Sequence, residues 1–427
     1  MSGGLLIRGG RVVDPSLSLD ALRDLRISRG LVAEIGYELE PEPGEAIFDA
    51  RGTIVAPGFV DMHVHLREPG FEEKETIATG TQAALRGGFT AVACMANTNP
   101  AIDDPAVLTA LMAALAARAN CRVHPIAAIT RGRRGLEPCD YAGLSSVGAV
   151  AFSDDGDTIV NARVLRDAGL AALGVRGAFI SHCEDPALKA DGVMNEGIVS
   201  RELGLPASPA LAEDVTVARD LLVASDTKKQ WHVAHVTTHR SLELIRQARA
   251  AGTNVTCEAT PHHLTLTEQS IRELGATAKV NPPLRTEADV VSLRAAVRDG
   301  TIDALASDHA PHTAAEKAGG IVQAAVGFSG LEIAVGAYAM ALADLPLLRF
   351  VALLSTNPAR ILGVSGGTLA VGSDGDVTIF AERPWRVDPS RFASKGKSTP
   401  FAGWTLPRRV VATVVGGELR YDEARHG

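Results

Sequence analysis

The sequence predicts an α/β protein, a (β/α)8 TIM-type barrel carrying a small β-sandwich domain formed by both chain ends. Three observations predict it. Through the middle of the chain, short apolar strand-like runs alternate with helical stretches rich in Ala and Leu, the pattern of a parallel sheet covered by helices. Both ends read instead as strand–turn–strand, punctuated by Gly pairs. Polar residues of ligand type gather where the central strands stop, the end of such a barrel that carries chemistry.

In chain order, residues 1–55 supply the first part of the sandwich. Leu5-Leu6-Ile7, Arg11-Val12-Val13-Asp14 and Leu25-Arg26-Ile27 are strand-like, separated by Gly9-Gly10 and Arg29-Gly30. Residues 56–365 supply the barrel. Its candidate strands are 54–60, 90–95, 123–129, 149–153, 178–181, 231–236, 254–259 and 304–307, with helices over 107–118, 212–224 and 242–250 among the connections. Residues 366–427 return to the sandwich with Asp376-Val377-Thr378-Ile379-Phe380 and the run from Arg409 to Val415, followed by the turn Gly416-Gly417.

Composition narrows the function. At 427 residues the chain is longer than one core usually organises, and 46% hydrophobic content fills a large interior. A net charge of −8 and a pI near 5.9 argue against nucleic acid as a partner. No run approaches the roughly 18 apolar residues that span a bilayer. The first residues lack the apolar stretch of a signal peptide. Five scattered cysteines form no C-x-x-C pair, so neither a disulfide framework nor a thiolate metal site is expected. The expectation is a cytoplasmic protein with reduced thiols and no membrane partner.

The most informative segment is Asp61-Met62-His63-Val64-His65-Leu66-Arg67. Side chains alternate faces along a strand, so Asp61, His63, His65 and Arg67 are expected on one face and Met62, Val64 and Leu66 on the other. Two imidazoles two residues apart on one strand can reach one metal ion. Other donors end later strands: Phe152-Ser153-Asp154-Asp155-Gly156, Ser181-His182-Cys183-Glu184-Asp185, His232-Val233-Ala234-His235 and Ser307-Asp308-His309-Ala310-Pro311-His312. Nitrogen and carboxylate donors converging from five strand ends read as a metal site. Four imidazoles and two carboxylates exceed one tetrahedral zinc and suit two divalent ions, which stabilise both the attacking and the departing atom. Asp154 is expected to cap a helix starting near Thr158, and Asp155 to face the metal. His124, His232, His239, His309 and His426 read as structural or solvated, Cys183 as packing, and His262-His263 take no assigned role. Residues 313–326, with Gly319-Gly320 and many alanines, are expected to form a mobile lid.

These motifs carry a resemblance. Asp61 through Arg67, continuing Glu68-Pro69-Gly70, resembles the first signature of the dihydroorotase family within the amidohydrolase superfamily, and Ser307 through His312 resembles its second. Met95-Ala96-Asn97-Thr98, the Asp154-Asp155 segment, Val280-Asn281-Pro282-Pro283-Leu284-Arg285, Ser355-Thr356-Asn357-Pro358-Ala359 and Thr399-Pro400-Phe401-Ala402-Gly403 fit in order. The likeness covers essentially the whole chain. It implies that His63 and His65 with Asp308 hold the more buried ion and His182 with His235 the second. Many relatives bridge the ions with a carboxylated lysine on the fourth strand. This chain has no lysine between Lys74 and Lys189, so Asp155 is the implied bridge, as in the long bacterial type. The segment Gly327-Phe328-Ser329-Gly330-Leu331-Glu332 departs from the family, which more often has Val or Ile before Gly-Leu-Glu.

The resemblance implies reversible cyclisation of N-carbamoyl-L-aspartate to L-dihydroorotate in de novo pyrimidine (UMP) biosynthesis. A metal-bound hydroxide would attack the ring amide carbonyl, with Asp308 as general acid/base. Arg67 would take the substrate carboxylate, helped by Asn97, Asn281 and His312. Zinc is the implied ion, one or two per chain. A homodimer and a complex with aspartate transcarbamoylase are both compatible with the likeness. The competing readings are another cyclic-amide hydrolase, of allantoinase or hydantoinase type, and an inactive dihydroorotase-like scaffold for aspartate transcarbamoylase.

Overall fold

The computed structural model describes residues 4–426. Five strands open the chain: β1 (Leu5–Asp14), β2 (Leu19–Ser28), β3 (Leu31–Gly36), β4 (Ala46–Asp49) and β5 (Ile54–Pro57). Eight barrel strands follow through the middle: β6 (Phe59–Val64), β7 (Phe89–Cys94), β8 (Arg122–Ala127), β9 (Ala151–Phe152), β10 (Phe179–Ser181), β11 (Trp231–Val233), β12 (Val255–Ala259) and β13 (Ala304–Leu305). Near the end come β14 (Val377–Ala381), β15 (Arg409–Val415) and β16 (Glu418–Asp422).

Strands β6 to β13 pair in parallel in chain order. Ring closure comes just beyond the last strand, where Val64 bridges His309 and the His65 N–H donates to His309 O at 2.8 Å. This is the predicted barrel. Its interior floor is filled by small and medium side chains, among them Val60, Met62, Ala91, Ala93, Ile126 and Ile180, with Ile361 and Leu362 closing it from below. Bulkier residues of the same strands face the helices. Phe152, Phe179 and Trp231 stack edge-on with centroids 6.1 and 5.4 Å apart, and Trp231 Nε1 donates to Ser181 Oγ at 2.8 Å. Edge-on aromatic pairs add about 0.5–1.5 kcal/mol each beyond their buried area, so the wall behind β9, β10 and β11 is stiff. Donors at the ends of these strands inherit that stiffness.

The two chain ends meet in one eight-stranded sheet in the order β16-β15-β14-β5-β1-β2-β3, with β4 also beside β1. Here the sequence reading needs one correction. The apolar run 54–60 is two strands, not one. Ile54–Pro57 pairs antiparallel with β14 in the terminal sheet, while Phe59–Val64 enters the barrel. Gly58 is the pivot. A Cβ there would lie 2.1 Å from Thr90 Oγ1, and its N–H donates to Asp376 O at 2.9 Å. Only glycine lets the two sheets approach so closely.

The alternation expected along β6 also fails, for a local reason. Asp61 is paired with Val92 but Val64 with Cys94, so β6 carries an extra residue against β7. Such a bulge re-aims the side chains beyond it. Val60 and Met62 keep the two-residue alternation and share the interior, whereas Val64 and Leu66, beyond the bulge, pack under the helices.

Among the described residues, no helix is long and apolar enough to cross a membrane.

Candidate metal centre and active site

Six of the side chains picked from the sequence meet at the mouth of the barrel. Ligand atoms of His63, His65 and Asp155 lie within 4.8 Å of one another, as do those of Asp155, His182 and His235. Asp155 belongs to both triads. Its carboxylate oxygens stand 3.4 Å from His63 Nε2, 3.5 Å from His65 Nε2, 3.8 Å from His182 Nδ1 and 3.6 Å from His235 Nε2. Asp308 closes the group, 3.2 Å from His65 Nε2 and 3.5 Å from His63 Nε2. All six are buried.

The donor set fits divalent ions. His63 Nε2 and Asp155 Oδ1 are buried atoms with no hydrogen-bond partner. Leaving such atoms unpaired costs about 1–3 kcal/mol each, and a cation would satisfy them together. Electrostatics agree. Burial alone would raise Asp155 and Asp308, but the surrounding imidazoles outweigh it and hold both carboxyls well below the ordinary range. For His63, burial is outweighed by Asp155, Glu258 and Asp308, which lift it well above the usual histidine value. Charge of both signs is thus concentrated in a buried pocket.

Three residues of this rim sit in the left-handed region: Arg67 at φ 62°, His235 at φ 31° and Asp308 at φ 48°. Such conformations cost roughly 1–3 kcal/mol each in non-glycine residues and persist only where neighbours over-determine them. Here the strand ends turn sharply to point side chains inward.

Around the donors stands a supporting layer. Glu258 was not singled out from the sequence, where it is one polar residue inside the apolar strand β12. It accepts from His63 Nδ1 at 2.7 Å, holding Nε2 toward Asp155, and meets His232 Nε2 at 3.2 Å. Burial would raise Glu258, but His63 and His232 bring it down to about 2. His232, read as structural, is therefore part of this support. Removing such an orienting carboxylate typically costs 10–100-fold in metal affinity. Glu258→Gln is expected to fall in that range, about 10–100-fold, read by metal titration of the apoprotein; unchanged affinity would remove Glu258 from the site.

Asn97 Oδ1 pairs with His65 Nδ1 at 2.9 Å, so this residue orients a donor and leaves only its amide nitrogen for other work. His182 is held from its far side by Glu184 at 3.3 Å. Asp154 does not cap a helix. Its Oδ1 accepts from the Ile129 and Thr130 N–H groups at 2.8 and 3.0 Å, and the next helix, Ala162–Ala171, is capped by Asn161. Cys183 is buried against Asp220, which with burial pushes its thiol well up, as packing requires.

Arg67 is the notable group of the rim. Its Nε donates to Pro311 O at 3.2 Å and its Nη2 lies 3.2 Å from His312 Nε2. Among the described residues it has no ion-pair partner. His312 Nε2 donates to Val326 O at 2.7 Å, and burial with Arg67 brings this imidazole down to about 4. Asn281 lies beside Lys189, its amide oxygen toward the ammonium and its nitrogen 3.0 Å from Val280 O. Segment 313–326 is tied down in this structure. Lys317 Nζ donates to Ala325 O and Gly327 O at 2.8 and 2.9 Å, Lys279 Nζ to Val322 O and Ala324 O at 3.0 and 2.8 Å, and Lys74 pairs with Glu316 at 2.7 Å.

A parallel eight-stranded barrel with an added β domain, and two histidine triads sharing one aspartate, define the chain as a barrel hydrolase of the amidohydrolase type. Solved structures agree on the fold. The L-hydantoinase (dihydropyrimidinase) from Arthrobacter aurescens superposes with a TM-score of 0.88 at 24% identity, covering 98% of this chain and 96% of that one. The dihydropyrimidinase from Brevibacillus agri gives 0.83 at 22%, covering 97% and 94%. Sequence relatives are more specific. A protein named dihydroorotase from Citrifermentans bemidjiense is 46% identical over 98% of this chain and 99% of its own length. Another of that name, from Pelotomaculum thermopropionicum, is 48% identical over 97% and 98%. The family model described as Dihydro-orotase-like matches residues 52–241. The chain belongs to the dihydroorotase family and is a cyclic amidohydrolase.

Proposed function

We propose that this chain interconverts N-carbamoyl-L-aspartate and L-dihydroorotate in pyrimidine biosynthesis. The observation that carries the reading is the Arg67 guanidinium, without an acidic partner among the described residues, beside two histidine triads that share Asp155. A carboxylate-bearing cyclic amide supplies what Arg67 lacks. A guanidinium fork binds a carboxylate bidentately. His312 packs against the fork and fixes its plane, and the amide nitrogens of Asn97 and Asn281 are assigned to the ring's polar edge.

His63, His65 and Asp308 would hold one ion and His182 and His235 the other, with Asp155 between them. Zinc suits four imidazoles and two carboxylates, as one or two ions per chain. Bound there, it would polarise the amide carbonyl and lower the pKa of water from about 15.7 to about 7. The chain's own part is positioning and proton transfer. Asp308, held ionised by its imidazoles, accepts the proton of the attacking water on a carboxylate oxygen and hands it to the leaving ring nitrogen. In the closing direction it takes the proton from the carbamoyl nitrogen. Arg67 and His312 hold the substrate carboxylate throughout, and the buried rim keeps bulk water from competing.

We assign the stretch from Gly58 to residue 365 to the catalytic barrel and the remainder to the small β domain, β5 (Ile54–Pro57) carrying that domain two residues past the expected boundary at 55, with the working protein cytoplasmic. A homodimer or an assembly with aspartate transcarbamoylase is left to sedimentation of the pure protein with and without that partner.

Two measurements test the reading. Elemental analysis of purified protein is expected to find a divalent metal. Ring opening of dihydroorotate should proceed well above that of hydantoin or allantoin assayed alongside; preference for either of those would refute the assignment. Arg67→Lys keeps the charge but loses the fork. It is expected to raise KM for dihydroorotate by about 10–100-fold, the worth of one to two charge-assisted hydrogen bonds. An unchanged KM would place the carboxylate elsewhere.

A further inference from the structure

A cleft of about 340 Å³ opens where the C-terminal segment crosses the end of the first barrel helix, Ile77–Arg86. It shares no residue with the histidine–aspartate centre. Four arginines line it, Arg86, Arg386, Arg391 and Arg409, against two carboxyls, Glu332 and Asp388. Trp385, Phe392 and Tyr421 supply aromatic lining.

The guanidinium groups are unequally satisfied. Arg409 pairs with Glu423 at 2.7 Å and lies over the Trp385 ring at 5.6 Å. Arg86 Nη1 donates to Arg391 O at 2.6 Å and stands 3.9 Å from Glu332, while its Nε is buried without a partner. Arg386 and Arg391 have no ion-pair partner among the described residues; Asp388 feels Arg391 only at longer range and accepts from Ser390 instead. Glu332 is engaged mainly with the backbone rather than with the guanidinium groups. Its carboxylate already takes the Ala393 and Ser394 N–H groups, and burial pushes it up to about 7.

Arg386 and Arg391, without acid partners among the described residues, thus stand in one cleft with Arg86, whose Nε is buried and unpartnered. Guanidinium forks match phosphate oxygens, and an indole already carrying one guanidinium offers a flat apolar face beside them. We propose that this cleft binds a small phosphorylated molecule through Arg386, Arg391 and Arg86, a site separate from the catalytic centre. The proposal does not depend on which cyclic amide the barrel hydrolyses.

The test is calorimetric titration of the full-length protein with inorganic pyrophosphate, a nucleoside 5′-diphosphate and the unphosphorylated nucleoside. Both phosphorylated probes are expected to bind with Kd below about 1 mM. The nucleoside alone is expected not to bind. In the Arg386→Ala/Arg391→Ala variant, affinity should drop at least about tenfold, or 1.4 kcal/mol. Both positions are exposed and outside the catalytic machinery, so turnover of the variant should match the parent and vouch for its folding. Tighter binding of the nucleotide identifies a base stacking on Trp385; equal affinities identify the polyphosphate alone. Absence of binding to the parent, equal binding to parent and variant (the anion then sitting on the metal centre), or nucleoside binding as tight as the diphosphate would each overturn the proposal.

Discussion

Replacing Asp308 by Asn is expected to lower kcat by about 10³-fold, within the range that general acid–base groups contribute, while KM for dihydroorotate changes little. The substitution preserves shape and one oxygen but removes the ability to hold a proton. Asp308 is suited to that work by position. It stands 3.2 Å from His65 Nε2 and 3.5 Å from His63 Nε2, on a backbone turn at φ 48° that points the carboxylate into the pocket. Burial would favour its protonated form, but His63, His65 and His235 outweigh burial, so it enters the cycle as an anion. Arg67, which is assigned the substrate carboxylate, is untouched by the change. Steady-state kinetics with metal content measured on the same sample decide the matter. A variant retaining metal and turning over within about tenfold of the parent would fall below that range and move the proton shuttle to another residue.

The second large effect is expected at Asp155. Asp155→Ala should strip metal from the protein and cost at least about 10²-fold in rate, since a metal centre loses its shared ligand and its orienting charge together. Asp155 is the only member common to both triads, with four imidazoles within 3.4–3.8 Å of its oxygens. No lysine precedes Lys189 after Lys74, so that stretch offers no lysine to bridge in its place. Elemental analysis before and after dialysis against a chelator, paired with the ring-opening assay, reads both consequences. Normal metal stoichiometry with near-normal turnover would exclude Asp155 from the centre.

Much of this centre was legible before any coordinates. His63, His65, His182, His235, Asp155 and Asp308 stand out because each is a ligand-type residue at the end of an apolar run, and a parallel barrel gathers strand ends at one mouth. Glu258 was not legible, because a single acid within a strand carries no sign of which imidazole it faces. Asn97 was legible as a site residue, but not its pairing with His65, which crosses from one strand end to the next. Nothing in the sequence marks Lys279 and Lys317, yet Lys279 spends its ammonium on two backbone carbonyls of the segment read as a mobile lid, and Lys317 on one there and on Gly327 O just beyond it.

What the chain determined by itself is the periodicity of its strands and helices, and with it the barrel, the sheet of joined termini and the six ligand-type side chains that the fold gathers at the mouth. These follow from local patterns of apolar and polar residues. Tertiary structure alone decided that residues 54–60 divide at Gly58 between two sheets, that the bulge before Val64 sends Val64 and Leu66 to the helix side while Met62 stays inward, and that Arg67 has no acidic partner among the described residues. Each depends on close approach between segments distant in sequence, Gly58 against Thr90 and β6 against β7 among them. Steric fit and electrostatic pairing at such distances exist only once the chain has packed.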